Sequence, residues 1–255
     1  MRMTKLFTKT FSLFVISCAL SFSVNAQTVT VAIAANLQPV MKSLKTDFKA
    51  RTGVSIDVIS GASGNLSTQI RNGAPFDVFL SADRDFPQSL QQDGFTVKPS
   101  VIYAQGVLII CSTQNLNLAH WDQLLQSTLV QKIAIGNPAI APYGKAAQQA
   151  LTKTGIYEKV KGKIVFGESI TQVNTYITTG VVQAGFTTLS LIKDDAQKPQ
   201  LYYKLIDDKT YTPIEQAMVL LKHAKANAAA EKFYQYILSP AAKTIFKAYG
   251  YHTTN

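Results

Sequence analysis

The sequence predicts an α/β fold of two lobes with a cleft between them. Three observations predict it. Short apolar strands alternate with amphipathic helices, that rhythm breaks once and restarts, and two longer apolar segments are placed to carry the chain from one lobe to the other and back.

In chain order, Arg2, Lys5 and Lys9 precede an apolar run from Phe11 to Phe22, and Val24-Asn25-Ala26 supplies small residues at a cleavage position. This is the pattern of an export leader over residues 1–26, making Gln27 the mature N-terminus. The run is too short for a transmembrane helix. Val15-Ile16-Ser17-Cys18 also resembles a lipobox, a competing anchor at Cys18 that requires cutting inside the apolar run.

Val29 to Ala34 reads as a buried strand, and Pro39 to Arg51 as a helix carrying Val40, Leu44 and Phe48 on one side with Gly53 after its end. Val54 to Ser60 is the next strand, Leu66 to Asn72 a short helix closed by Gly73, and Phe76 to Leu80 a third strand. Such alternation implies right-handed crossovers onto a parallel sheet. Val101 to Cys111 is a longer apolar strand suited to crossing between lobes. The rhythm then restarts with strand Ile133 to Ile135, helix Lys145 to Thr154, strand Ile164 to Phe166, helix Thr171 to Thr179 and strand Ala184 to Thr187. Gln216 to Leu221 is expected to cross back, and helices at Ala226 to Leu238 and Pro240 to Tyr249 to pack on the first lobe. The expected organisation is a first lobe of residues 27–106 and 215–255 and a second lobe of residues 107–214.

Composition narrows the function. The net charge of +10 falls to +7 once the three leader cations are removed, and the lysines are spread over many helix faces without a dense block. That is a solvated basic surface, not a nucleic-acid stripe. Outside the leader Cys111 is the sole cysteine, in an apolar run where packing explains it. His120, His223 and His252 are scattered without metal-ligand spacing, and no nucleophile elbow or Walker loop is present. Asp77 and Asp83 flank a strand, where turn and cap roles explain them better than acid–base work.

Four loops carry the chemistry: Ala34 to Leu37, Ser60 to Asn65, Asn137 to Gly144 and Gly167 to Thr171. Each lies at the carboxyl end of a strand and before a helix, where unpaired N–H groups and a positive dipole end attract anions. Asn36 either caps the helix that follows or donates to a ligand. Ser63 sits between glycines that let backbone approach a bound group closely. Tyr143, delivered by Pro138 and Pro142, offers a backbone N–H, a phenol or an apolar wall, and Ile170 can act only through its backbone. The first three loops contain no acid. Glu168 reads as a helix-start residue and Lys145 as a solvated helix lysine. A donor-only cage suits a fully deprotonated oxyanion, whereas phosphate, still carrying a proton, benefits from a carboxylate acceptor.

These segments resemble the molybdate-binding proteins of bacterial ABC importers over essentially the whole mature length. The resemblance rests on Ala34-Ala35-Asn36-Leu37, Ser60 to Gly64, the run Asn72-Gly73-Ala74-Pro75-Phe76-Asp77-Val78-Phe79-Leu80-Ser81-Ala82-Asp83, Asn137-Pro138 with Ala141-Pro142-Tyr143-Gly144, and Ser239-Pro240-Ala241 with Ile245-Phe246. It implies a two-lobe periplasmic binding protein of type II with two crossover strands. It implies that Asn36 and Ser63 donate from side chain and backbone, that Tyr143 and Ile170 donate backbone N–H groups, and that Ala35 lines the site. Many members place a tyrosine hydroxyl on the ligand from the position that corresponds here to Thr188. This chain resembles the subset with the Ala-Pro-Tyr-Gly loop, which does without it. The implied receptor is a periplasmic monomer that takes molybdate or tungstate, needs no cofactor, and hands its cargo to a membrane permease. A receptor for sulfate or thiosulfate, or an exported enzyme using Asp77 or Glu168 as a base, are the competing readings.

Overall fold

The computed structural model describes residues 28–194 and 199–253; the leader, Cys18 and Gln27 lie outside them. The first strands and helices are β1 (Val29–Ala34), α1 (Gln38–Thr52), β2 (Ile56–Gly61), α2 (Ser63–Arg71), β3 (Val78–Leu80) and α3 (Asp85–Gln92). β4 (Val101–Gly106) and β5 (Leu108–Ser112) follow, then α4 (Trp121–Gln126), β6 (Ile133–Gly136), α5 (Pro142–Lys153) and α6 (Tyr157–Val160). The chain continues through β7 (Ile164–Gly167), α7 (Ile170–Thr178), β8 (Ala184–Thr188), α8 (Leu189–Ile192) and β9 (Tyr202–Leu205). It ends with β10 (Ile214–Leu220), α9 (Ala228–Ile237) and α10 (Pro240–Ala248).

The strands form two five-stranded sheets, ordered β2-β1-β3-β10-β4 and β7-β6-β8-β5-β9. The central strands of both sheets are buried on both faces, and the period of two along each strand assigns its side chains. In the first lobe Val29, Val31, Ile33, Val78, Leu80, Met218 and Leu220 face α1, α9 and α10, where Phe48, Phe233 and Phe246 fill the core. Ala32, Phe79 and Val219 face the other way, onto Leu66, Ile70 and Leu90 of α2 and α3. In the second lobe Leu108, Ile110, Ile133, Ile135 and Phe186 share one core, and Ile109, Cys111 and Ala134 pack against Val173 and Ile177 of α7 on the other. Cys111 is a core residue, and burial pushes its thiol up to about 12.

Three expectations need correction. The sheets are mixed: β10 runs antiparallel to β3 and β4, and β5 antiparallel to β8 and β9. The right-handed crossover rule governs strands joined through a helix, but β10 enters its sheet directly from the other lobe and is free to run either way. Val101 to Cys111 is two strands, with the chain leaving the first sheet at Gly106 and joining the second at Leu108. Gln216 to Leu221 does not cross; it belongs to β10 inside the first sheet, and the return passes through residues 206–213.

Candidate functional site

Five segments converge on a small cavity between the sheets, with room for little more than a water molecule. Ala34, Ala35 and Asn36 come from the end of β1, Gly61, Ala62 and Ser63 from the β2–α2 junction, and Ala82 follows β3. Ala141, Pro142 and Tyr143 enter from the start of α5 and Ile170 from the start of α7. The structure therefore brings together all five residues singled out from sequence: Ala35, Asn36, Ser63, Tyr143 and Ile170. No lining residue carries a charge. Glu168 is exposed outside the cavity, and the cap of α7 is Ser169, whose side chain accepts from Gln172 N–H. Lys145 reaches Asp85 at 3.0 Å on the surface.

The helix starts explain what the cavity offers. α2 begins at Ser63 and α5 at Pro142, several residues earlier than the apolar periodicity marks, so Ser63 and Tyr143 lie in first turns. Their N-cap residues, Ala62 and Ala141, make no side-chain cap, and neither does Ala34 before the short 3₁₀ turn Ala35–Leu37. Side-chain caps are present at α7, α9 and α10, from Ser169, Asn227 and Ser239, and absent at α3, α4 and α6 as well as at the cavity starts of α2 and α5. First-turn N–H groups have no intrahelical acceptor, so uncapped starts leave donors aimed at the cavity.

Ser63 Oγ accepts from Ala82 N–H at 3.0 Å, which leaves the hydroxyl hydrogen for an acceptor in the cavity. Asn36 behaves differently. Its Nδ2 donates to Gln216 Oε1 at 3.0 Å and to Tyr251 Oη at 3.1 Å, so both amide hydrogens are committed to protein. The Tyr143 phenol points away into the protein, receiving Thr188 Oγ1 at 3.1 Å and Gln216 Nε2 at 3.3 Å. Burial raises the phenol of Tyr143 well above its ordinary range and that of Tyr251 to about 12, so both stay neutral. Across the cleft Gly64 N–H donates to the Ile140 carbonyl at 3.0 Å, and Thr171 Oγ1 donates to Gln38 Oε1 at 2.8 Å. The lobes are closed on one another.

A bacterial extracellular solute-binding protein model matches residues 29–252, almost the full described span. The chain belongs to this family. Among its relatives, the solute-binding protein is 36% identical over 233 residues to the molybdate-binding protein ModA of Azotobacter vinelandii, covering 91% of this chain and 92% of that one. It is 35% identical over 228 residues to ModA of Rhodobacter capsulatus, covering 88% of each. The solved periplasmic molybdate-binding protein of Azotobacter vinelandii superposes with a TM-score of 0.84 at 33% identity, over 89% of this chain and all of that one. The sulfate-binding protein SubI of Mycobacterium tuberculosis shares the fold, with a TM-score of 0.72 at 16% identity over 90% of this chain and 88% of that one. The two-lobe type II binding-protein architecture thus stands on both the topology and these likenesses. Among the described residues no helix of this solute-binding protein is long and apolar enough to cross a membrane, and no cluster of His, Cys, Asp and Glu could hold a metal ion.

Sequence reasoning missed Ala82, Thr188 as a partner of Tyr143, and Ser190, Gln216 and Tyr251. Ala82 lay within the Asn72 to Asp83 run, and the donor left over on Ser63 gives it a role. The others are polar residues in apolar stretches, which is a signal, but nothing in one sequence pairs position 36 with 216 or 251.

Proposed function

We propose that this chain captures molybdate, and tungstate with it, between its two lobes and presents the closed form to the permease of an ABC importer. The observation that carries the reading is a small cavity walled by uncharged residues, with uncapped helix starts from both lobes aimed into it. A dianion loses its hydration on entry, and N–H dipoles with the Ser63 hydroxyl replace it without a counter-ion. Backbone N–H groups of Asn36, Tyr143 and Ile170, with the backbone and hydroxyl of Ser63, are the proposed donors, and Ala35 completes the wall. The Asn36 amide and the Tyr143 phenol are assigned to shaping the site, because both are already bonded to protein.

A cavity without a carboxylate has nothing to accept the proton of hydrogen phosphate, which disfavours that ion. Cavity size discriminates against smaller oxyanions. No catalytic step, cofactor or nucleic acid enters the reading; the protein acts as an exported monomer, carried through the envelope by residues 1–26. Titration of the purified protein with molybdate, tungstate, sulfate and phosphate by calorimetry tests it. Tight binding of molybdate and tungstate with weak sulfate and phosphate binding is expected. Sulfate binding as tightly as molybdate overturns it.

A further inference from the structure

Five buried residues form a ring of hydrogen bonds, through their side chains and the backbone of Asn36 and Ser190, that passes between the lobes twice. Asn36 Nδ2 donates to Gln216 Oε1 at 3.0 Å, and Gln216 Nε2 donates to Tyr143 Oη at 3.3 Å. Thr188 Oγ1 donates to Tyr143 Oη at 3.1 Å and accepts from Ser190 N–H at 3.3 Å, and Ser190 Oγ donates to the Asn36 backbone carbonyl at 3.0 Å, which closes the ring. Asn36 and Gln216 belong to the first lobe and the other three to the second, so the lobe crossings are Gln216 to Tyr143 and Ser190 to Asn36. None of the five is more than 2% exposed. Gly106, where the chain leaves the first sheet at the end of β4, is the space in which the phenol and the Gln216 amide meet; a Cβ there would overlap both. Gln216 also sits at an irregularity in the β10–β4 register, which turns its side chain out of the regular ladder.

The ring touches the cavity at two points, Asn36 and Tyr143, one in each lobe. Buried, fully bonded polar networks rigidify their surroundings, and breaking one member weakens the rest. We infer that Gln216, Thr188 and Ser190 are positioning residues, which act through Asn36 and Tyr143 to hold the N–H groups of the two lobes in register around the bound anion. This rests on the anion-receptor reading above and adds a mechanism for retention: cargo is held as long as the ring is closed.

Two substitutions each open the ring at one lobe crossing. Tyr143→Phe removes the phenol and keeps the backbone N–H. Ser190→Ala removes one oxygen, and the Asn36 carbonyl keeps its bond from Tyr251 Oη at 2.8 Å. The experiment is stopped-flow molybdate release and binding on wild type, both variants and the double variant, with thermal unfolding of each ligand-free protein. Each single variant is expected to speed release about tenfold with little change in association. The double variant should be about as fast as either single, because a ring opened once gains nothing from a second break. Ligand-free midpoints should move by less than about 2 °C. Wild-type release in the single variants overturns the proposal, and so do effects that multiply in the double variant. A loss matched by an equal drop in the ligand-free midpoints assigns the ring to folding alone and overturns it too. Failure of wild-type protein to bind molybdate overturns the receptor reading and this inference together, whereas normal wild-type binding with unaffected variants overturns the ring alone.

Discussion

At Ser63 a single oxygen faces both the protein and the cavity. It accepts from Ala82 N–H, which fixes the side chain, and its own hydrogen is left to donate. Ser63→Ala removes that donor from a charged acceptor, a loss of about 1.5–3 kcal/mol, or roughly 10- to 150-fold in molybdate affinity by calorimetry. Unchanged affinity would remove Ser63 from the donor set. Asp83, next to Ala82, lies in a separate groove shared with Arg84, Asp85, Lys145 and Glu215. Burial raises its carboxyl from 3.8 to about 6, against the opposing bonds from Ser81 Oγ and Phe86 N–H. The folded state therefore holds a proton that the unfolded chain has released. Stability falls as pH rises from about 4 through about 6 and flattens above about 7, at a cost on the order of 3 kcal/mol. Asp83→Asn should recover most of that at pH 7.5 and nothing at pH 3.5, read by urea unfolding at both values. Residues such as Ser63 were legible because a strand end, two glycines and a helix start are local signals. Gln216 was not, because its partners are 180 and 73 residues away.

Among the elements, α2 makes the contact that records closure. Gly64 N–H meets the Ile140 carbonyl at 3.0 Å, and a Cβ at position 64 would lie 2.9 Å from Ile140 Cα, backbone that cannot swing aside. Gly64→Ala is expected to leave the ligand-free protein folded and open, and to abolish most of the molybdate-induced contraction seen by small-angle scattering. Full contraction in the variant would mean that the lobes close without this contact. The same helix shows why boundaries were harder to read than elements. Ser63 and Gly64 are buried but not apolar, so hydrophobic periodicity marks α2 from Leu66, although its backbone turns helical at Ser63. α5 is similar: Pro142 suits a first helical position, yet the apolar pattern is recognisable only beyond Lys145. Strand direction was misread for a different reason. Alternation identifies a buried strand and its faces but carries no sign for parallel or antiparallel pairing, so β5 and β10 looked like the rest.

At the scale of the whole molecule, the chain builds one lobe, leaves it, builds the second and comes back, and β10, α9 and α10 must be fastened to strands laid down much earlier. Asp77 does part of this. Its Oδ2 accepts from Thr30 N–H at 2.8 Å and from Asn227 Nδ2 at 3.3 Å, and its Oδ1 lies 3.1 Å from His223 Nδ1. One carboxylate, 2% exposed, thus ties the start of β1 to the residue that caps α9. The Asn72 to Asp83 run, the most distinctive stretch of the sequence, owes its Asp77 to this fastening and its Ala82 to the cavity. Asp77→Asn keeps the shape but replaces one acceptor oxygen with a donor that faces Thr30, Asn227 or His223. Unfolding free energy should fall by about 1–3 kcal/mol in urea, with molybdate affinity unchanged, because Asp77 does not line the cavity. The opposite pattern, intact stability with lost binding, would place this carboxylate in the chemistry of the site and revive an acid–base role for it.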